Sequence, residues 1–240
     1  MPLRLLDHTA ESLDENLALD EALLLSAEAG EGGEVLRYWE WPHSAVVLGA
    51  GGSIAIDVNE EACRADGVTI HRRASGGGTV LLGRGCLLFS LVLSYDRAAE
   101  LRDVTASYRW VLGRVRDALR PIAPLELVGI SDLAWNSRKV SGNAQQRKSR
   151  HVLHHGSLLY DFDVSAVARY LRPPEREPAY RAGRVHEMFL ANQPADSGTL
   201  QRLLSEAFSA EPGQLDPGIF GQVSRLVTDK YATTEWVRRR

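Results

Sequence analysis

Cysteine is scarce in this sequence: of 240 residues only Cys63 and Cys86 carry a thiol. Two thiols cannot build a disulfide framework or a four-cysteine zinc site. A single disulfide stays open, although a reducing compartment favours free thiols. Long apolar runs are missing too. Stretches such as residues 87–93 fall far short of the roughly 20 residues of a membrane-spanning helix. The opening MPLRLLDHTAESLDE puts acidic residues where a secretory signal carries its apolar core, so the expected location is the cytoplasm, with no membrane partner. There is no excess of positive charge, since 28 basic residues face 31 acidic ones for a formal charge of −3. That balance argues against nucleic acid as a partner.

What is present is ordinary for a globular protein. The hydrophobic share is 44% and the charged share 25%, which excludes disordered and collagen-like chains. One bias stands out: 25 arginines accompany only three lysines, Lys139, Lys148 and Lys230. A lysine kept where arginine is the default suggests a site that needs a compact ammonium rather than a planar fork. Lys139 is the candidate, while drift suffices for the other two.

Apolar spacing predicts a helix over residues 14–29, stopped by Gly30. Strands are expected over 34–40 and 44–48, a short helix over 57–65 and a strand over 68–72. Residues 79–82 and 86–94 read as a hairpin around Gly83-Arg84-Gly85. A long helix over 98–119 stops before Pro121, and strands follow over 125–128, 132–135, 138–143 and 151–160. A helix over 164–171, a surface loop over 173–192 and helices near 197–207 and 217–230 complete the reading. Strands in hairpin order with separate helices indicate an α+β fold. No linker divides the chain, so a single domain, residues 1–240, is expected.

Three constellations carry chemistry. In Arg72-Arg73-Ala74-Ser75-Gly76-Gly77-Gly78 three successive glycines let a backbone approach a ligand closely. Successive amides there can make an anion-binding nest, and paired arginines add bidentate capacity for phosphate or carboxylate. The alternative is a tight turn with solvated arginines. The second is Ser131-Asp132 followed by Arg138-Lys139-Val140-Ser141-Gly142-Asn143-Ala144-Gln145. On a strand, Lys139 and Val140 would face opposite sides. The third, His151 to Leu159, holds His151 and His155 at a metal-like spacing only if helical, with no further ligands nearby. No metal site is therefore expected.

The stretches RRASGGGTVLLGRGC, SDLAWNSRKVSGNAQQ and HHGSLLYDFD occur in an order and spacing that resembles the lipoate–protein ligase and octanoyltransferase family. DENLALDEALL, VVLGAGG and EPAYRAGRVHEMF are similar to it as well, and the likeness spans nearly the whole chain. The resemblance implies the catalytic domain shared with biotin–protein ligases, a mixed, mostly antiparallel sheet flanked by helices. It implies that Arg73, Ser75, Gly76, Gly77 and Gly78 wrap the acyl chain and its activated carboxyl. Lys139 would contact the acyl carbonyl and phosphate, and Asp132 would lie at the nucleotide site. Ser141, Gly142 and Ala144 would line the adenylate, and His155, Gly156 and Ser157 the acyl pocket.

The leading expectation is an ATP- and magnesium-dependent ligase that joins lipoate, or a related medium-chain acid, to a lysine of a carrier protein domain through an acyl-adenylate. The alternative is an ATP-independent octanoyl or lipoyl transferase between carriers. Relatives of that kind use a cysteine, either a few residues before the Asp/Lys segment or after the His-Gly segment. Residues 121–131 contain no cysteine, and none follows Cys86. Cys86 itself would be an alternative nucleophile in an unfamiliar position, or a small strand residue facing a packed interior. No counterpart of the accessory C-terminal domain of many ligases is expected here, so either activation would draw on a separate chain or the protein would catalyse only transfer. A non-catalytic acyl-binding homologue is the third reading.

Overall fold

The computed structural model describes residues 2–174 and 177–240. Its strands are β1 (Leu3–Asp7), β2 (Val35–Glu40), β3 (Ala45–Leu48), β4 (Thr69–Arg72), β5 (Val80–Leu82), β6 (Cys86–Ser94), β7 (Glu126–Val128), β8 (Asp132–Trp135), β9 (Arg138–Arg147), β10 (His151–Leu159) and β11 (Ala210–Pro212). Its helices are α1 (Leu13–Ala29), α2 (Ile54–Asp57), α3 (Glu60–Asp66), α4 (Val104–Leu119), α5 (Val167–Tyr170), α6 (His186–Phe189), α7 (Ser197–Ala207), α8 (Pro217–Leu226) and α9 (Thr234–Val237).

Eight strands form one sheet in the order β11-β1-β2-β6-β10-β9-β8-β7. Only the β1 pairings with β11 and β2 are parallel; those from β2 to β7 are antiparallel. A second sheet has the order β4-β3-β5. This is the α+β architecture expected from the sequence.

The two-residue period of β6 explains the layers. Cys86, Leu88 and Val92 join the core under α1, with Val46, Leu48, Ile219 and Val223. Leu87, Phe89, Leu91 and Leu93 face the other way, toward Val111, Leu112 and Val115 of α4 and Leu200 and Leu204 of α7. Helix α1 begins with a capping box, Ser12 with Glu15, and ends at Gly30 in the left-handed conformation.

Several expectations need correction. β5 and β6 do not form a hairpin: β5 pairs with β3, and β6 runs between β2 and β10. The carbonyl oxygen of Gly85 instead accepts from the amides of Tyr160 and Asp161, and a Cβ on Gly85 would collide with the Asp161 backbone. The helix expected over 98–119 is broken at Asp103, which turns extended and caps α4 through Ala106 N, 2.7 Å away. The 57–65 segment divides into α2 and α3 at Val58, and 164–171 into a 3₁₀ turn and α5. The surface loop expected over residues 173–192 holds a helix, α6, whose Phe189 is only 3% exposed, while residues 175 and 176 lie outside the described residues. Strands β1 and β11 and helix α9 escaped the sequence reading.

Candidate active site

The glycine loop joins β4 to β5. Arg73, which is buried, shapes it from within: Nε donates to Ser75 Oγ at 3.0 Å, Nη1 to the Val47 carbonyl at 3.2 Å, and Nη2 to the carbonyls of Gly76 and Gly78 at 2.7 and 2.8 Å. Burial lowers this guanidinium to about 10, so it stays charged at neutral pH. Arg72 is engaged elsewhere, with Nη1 donating to the carbonyls of Gly49 and Gly52 and Nε and Nη2 to Val237. The pair expected to grip an anion thus holds backbone in this conformation.

Across the cavity stands the β8–β9 hairpin. Its two-residue turn, Asn136-Ser137, has φ of 50° and 60°, the left-handed pair that matches strand twist. The register shifts between Leu133 and Ala134, so Asp132 pairs with Gly142 and Ala134 with Lys139. Val140 is buried in the α4 core and Lys139 projects into the cavity, the opposite facing expected of neighbours on a strand. Lys139 Nζ lies 2.9 Å from Asp132 Oδ1. A Cβ on Gly142 would fall 2.8 Å from both Cε and Nζ of Lys139, so the bare strand position makes room for the ammonium.

β10 supplies the third wall. His155 Nε2 lies 2.6 Å from Ser75 Oγ, and His155 Nδ1 lies 4.0 Å from the buried carboxylate of Asp20. Asp20 in turn accepts from Arg37 Nη1 at 2.6 Å and Ser90 Oγ at 2.7 Å. Burial, reinforced by the Arg73 charge, lowers the His155 imidazole to about 3. It is neutral at pH 7, leaving Arg73 and Lys139 as the cations beside the cavity.

These walls enclose about 180 Å³. Leu17, Trp39, Val47, Leu82, Leu88 and Phe89 make an apolar slot, and Arg73, Asp132, Lys139, Asn143 and His155 line its polar part. Gly77, Gly78, Gly142, Ala144, Gly156 and Ser157 also reach it. Ser75 sits behind the wall, and Gly76 is exposed on the loop. A second cavity of about 130 Å³ adjoins the first, sharing Thr79, Val80, Lys139, Gly142 and Ser157. Ser141, Arg181, His186 and Phe189 line it as well. Leu17, Asp20 and Arg181 fall within the stretches DENLALDEALL and EPAYRAGRVHEMF but were not singled out there, and Trp39 lies outside every motif.

Cys86 is 1% exposed and lies outside both cavity walls. Burial pushes its thiol up to about 12, with Glu40 adding to the rise. Cys63 is equally buried and its thiol is also raised. Both are free. Among the described residues no cluster of three or more metal-ligating side chains occurs, and no helix is long and apolar enough to cross a membrane.

The site thus joins an apolar slot to a polar end built from the glycine loop and the lysine–aspartate pair. The chain belongs to the lipoyl protein ligase A/B catalytic domain family, whose model matches residues 12–192. It is 29% identical to octanoyltransferase LipM of Symbiobacterium thermophilum over 99% of this chain and 98% of that protein. It is 31% identical to a probable lipoate-protein ligase A of Mycoplasma pneumoniae over 65% of this chain and 45% of that protein. The bi-partite lipoate protein ligase of Thermoplasma acidophilum, described together with its E2 lipoyl domain, superposes with a TM-score of 0.86 at 23% identity, covering 99% of this chain and 96% of that one. That likeness speaks for the fold.

Proposed function

We propose that the chain catalyses ATP-dependent ligation of lipoate, or a related medium-chain acid, to a lysine of a carrier protein domain through an acyl-adenylate. One observation carries this reading. Lys139, Asp132 and the glycine loop share a single cavity, while both thiols are buried away from it with raised proton affinity. A thioester-forming transferase needs an accessible thiolate, whereas adenylation needs position and charge.

In this scheme the tail lies in the slot of Leu17, Trp39, Val47 and Leu88, gaining roughly 0.8 kcal/mol per buried CH₂. The glycine loop, braced by Arg73, holds the carboxyl where it attacks the α-phosphorus of ATP and pyrophosphate departs. Lys139 neutralises charge on the phosphate and polarises the acyl carbonyl. The second cavity suits the nucleotide, because Arg181 and His186 line it and His186 Nε2 is buried without a hydrogen-bond partner among the described residues. Asp132 is the carboxylate on hand for magnesium, which commonly takes one or two protein carboxylates plus substrate phosphates. Its oxygens keep lone pairs beyond those used in the structure. Bound magnesium would offset phosphate charge. The carrier lysine, with a pKa of about 10.4 in water, sheds a proton before it attacks. A separate accessory chain for activation belongs to the same proposal.

The second reading, ATP-independent octanoyl transfer, is favoured by the full-length likeness to LipM. Assaying the protein with lipoate, magnesium ATP and an apo lipoyl domain, and separately with an octanoyl carrier without ATP, divides the two. We expect AMP and a lipoylated domain in the first assay, no adenylate from Lys139→Ala and near-normal adenylate from Cys86→Ser. ATP-independent transfer that disappears in Cys86→Ser would overturn the ligase reading.

A further inference from the structure

Residues 179–191 lie against the β8–β9 hairpin and are tied to it at several points. Arg184 Nη1 donates to the Ser137 carbonyl at 2.9 Å, Arg138 Nη2 to the Glu187 carbonyl at 2.8 Å, and Ala191 N to the Lys139 carbonyl at 2.9 Å. Within this strap the phenol of Tyr180 donates to Asp132 Oδ2 at 2.8 Å. Asp132 is thereby held from two sides, by Tyr180 on Oδ2 and by the Lys139 ammonium on Oδ1. The Tyr180 ring is itself fixed, its centroid 5.1 Å from that of buried Phe189. Tyr180 lines neither cavity.

We infer that Tyr180 is a positioning residue, which clamps the Asp132 carboxylate so that its other oxygen aims the Lys139 ammonium at the acyl head. The geometry separates this role from that of a group touching substrate, because the phenol reaches the cavity only through Asp132. A carboxylate 7% exposed with one donor removed would turn to find another, and Lys139 would follow it. The effect on turnover rests on the ligase reading; the clamp itself does not.

The test therefore has two readouts. The first is competitive acetylation of the whole protein with acetic anhydride, measuring Lys139 against exposed Lys148 by peptide mass spectrometry. Tyr180→Phe keeps the ring and removes the hydroxyl, and is expected to raise the Lys139/Lys148 ratio about threefold. In an Asp132→Asn background the same change is expected to add nothing, since the two residues act as one unit. An unchanged ratio, or an equal rise in both backgrounds, overturns the proposal. The second readout is adenylation, where Tyr180→Phe is expected to lower the rate constant about tenfold, with KM values and melting temperature near those of the parent. Full turnover despite altered labelling, or a collapse of melting temperature, would leave Tyr180 as scaffold and also refute the positioning role. Altered labelling in a protein whose parent makes no adenylate supports the clamp and sinks the ligase reading alone.

Discussion

His154 and His155 are adjacent on β10, face opposite sides of the sheet, and are both held neutral. His154 lies between Phe89 and Tyr108, with ring centroids at 6.1 and 5.3 Å, and burial lowers its imidazole to about 3. Unfolded imidazoles take protons near pH 6.5, while the folded ones refuse them down to about 3. The unfolded chain therefore binds more protons across that window, so stability is complete above it and lost as the pH falls through it. Each imidazole contributes a slope of about 1.4 kcal/mol per pH unit once well below pH 6.5. We expect the urea midpoint to fall between pH 7 and 5, with His8 and His186, also lowered by burial, adding to the fall, and His154→Gln to lessen it; parallel curves for both proteins would contradict the assignment. At this scale the sequence singled out Lys139, whose side chain lines the cavity, by the rarity of lysine among arginines. It was silent about Lys230, assigned to drift but paired at 2.7 Å with Glu21, a carboxylate 6% exposed. That partner lies 209 positions away, beyond any local pattern.

The β8–β9 hairpin shows how an element can be legible while its working detail is not. The run from Asp132 to Trp135, the turn at Asn136-Ser137 and the start of β9 all follow from local turn chemistry and alternation. The register shift after Leu133 does not, and it decides that Asp132 lies opposite Gly142. Gly142→Ala would set a methyl group against the far end of the Lys139 side chain, which can swing away at little energetic expense. We predict a melting temperature within a few degrees of the parent, together with a loss of adenylation of about tenfold or more. A fully active alanine variant would show that Lys139 does not need that path. The misread β5–β6 hairpin has the converse cause. Gly83-Arg84-Gly85 satisfies the local rules for a tight turn, but the close approach of Asp161 to Gly85 is a long-range demand that only the assembled sheet imposes.

At the scale of the whole molecule, helix α9 braces the strand from which the glycine loop departs. Arg72 is fully buried and joins the β3–β4 region to α9, with Nε 3.1 Å from the Trp236 carbonyl and Nη2 2.8 Å from that of Val237. Trp236 Nε1 returns a bond to the Arg72 carbonyl at 2.8 Å. Lysine cannot reproduce a fork that serves several carbonyls, so Arg72→Lys should destabilise the fold by about 3 kcal/mol. The check is a lowered urea midpoint with unchanged slope; an unaltered midpoint would deny Arg72 this role. The sequence pointed to the α+β class and the three motifs, because hydrophobic alternation and turn residues are local. It could not assign Arg72 to the far end of the chain, where a fully buried guanidinium takes carbonyl partners 164 and 165 residues away. A ribosome making this protein thus releases the glycine loop long before the residues that anchor its base. The nascent enzyme stays unfinished until residue 237 has cleared the exit tunnel, so unfinished chains would carry the motif without its foundation.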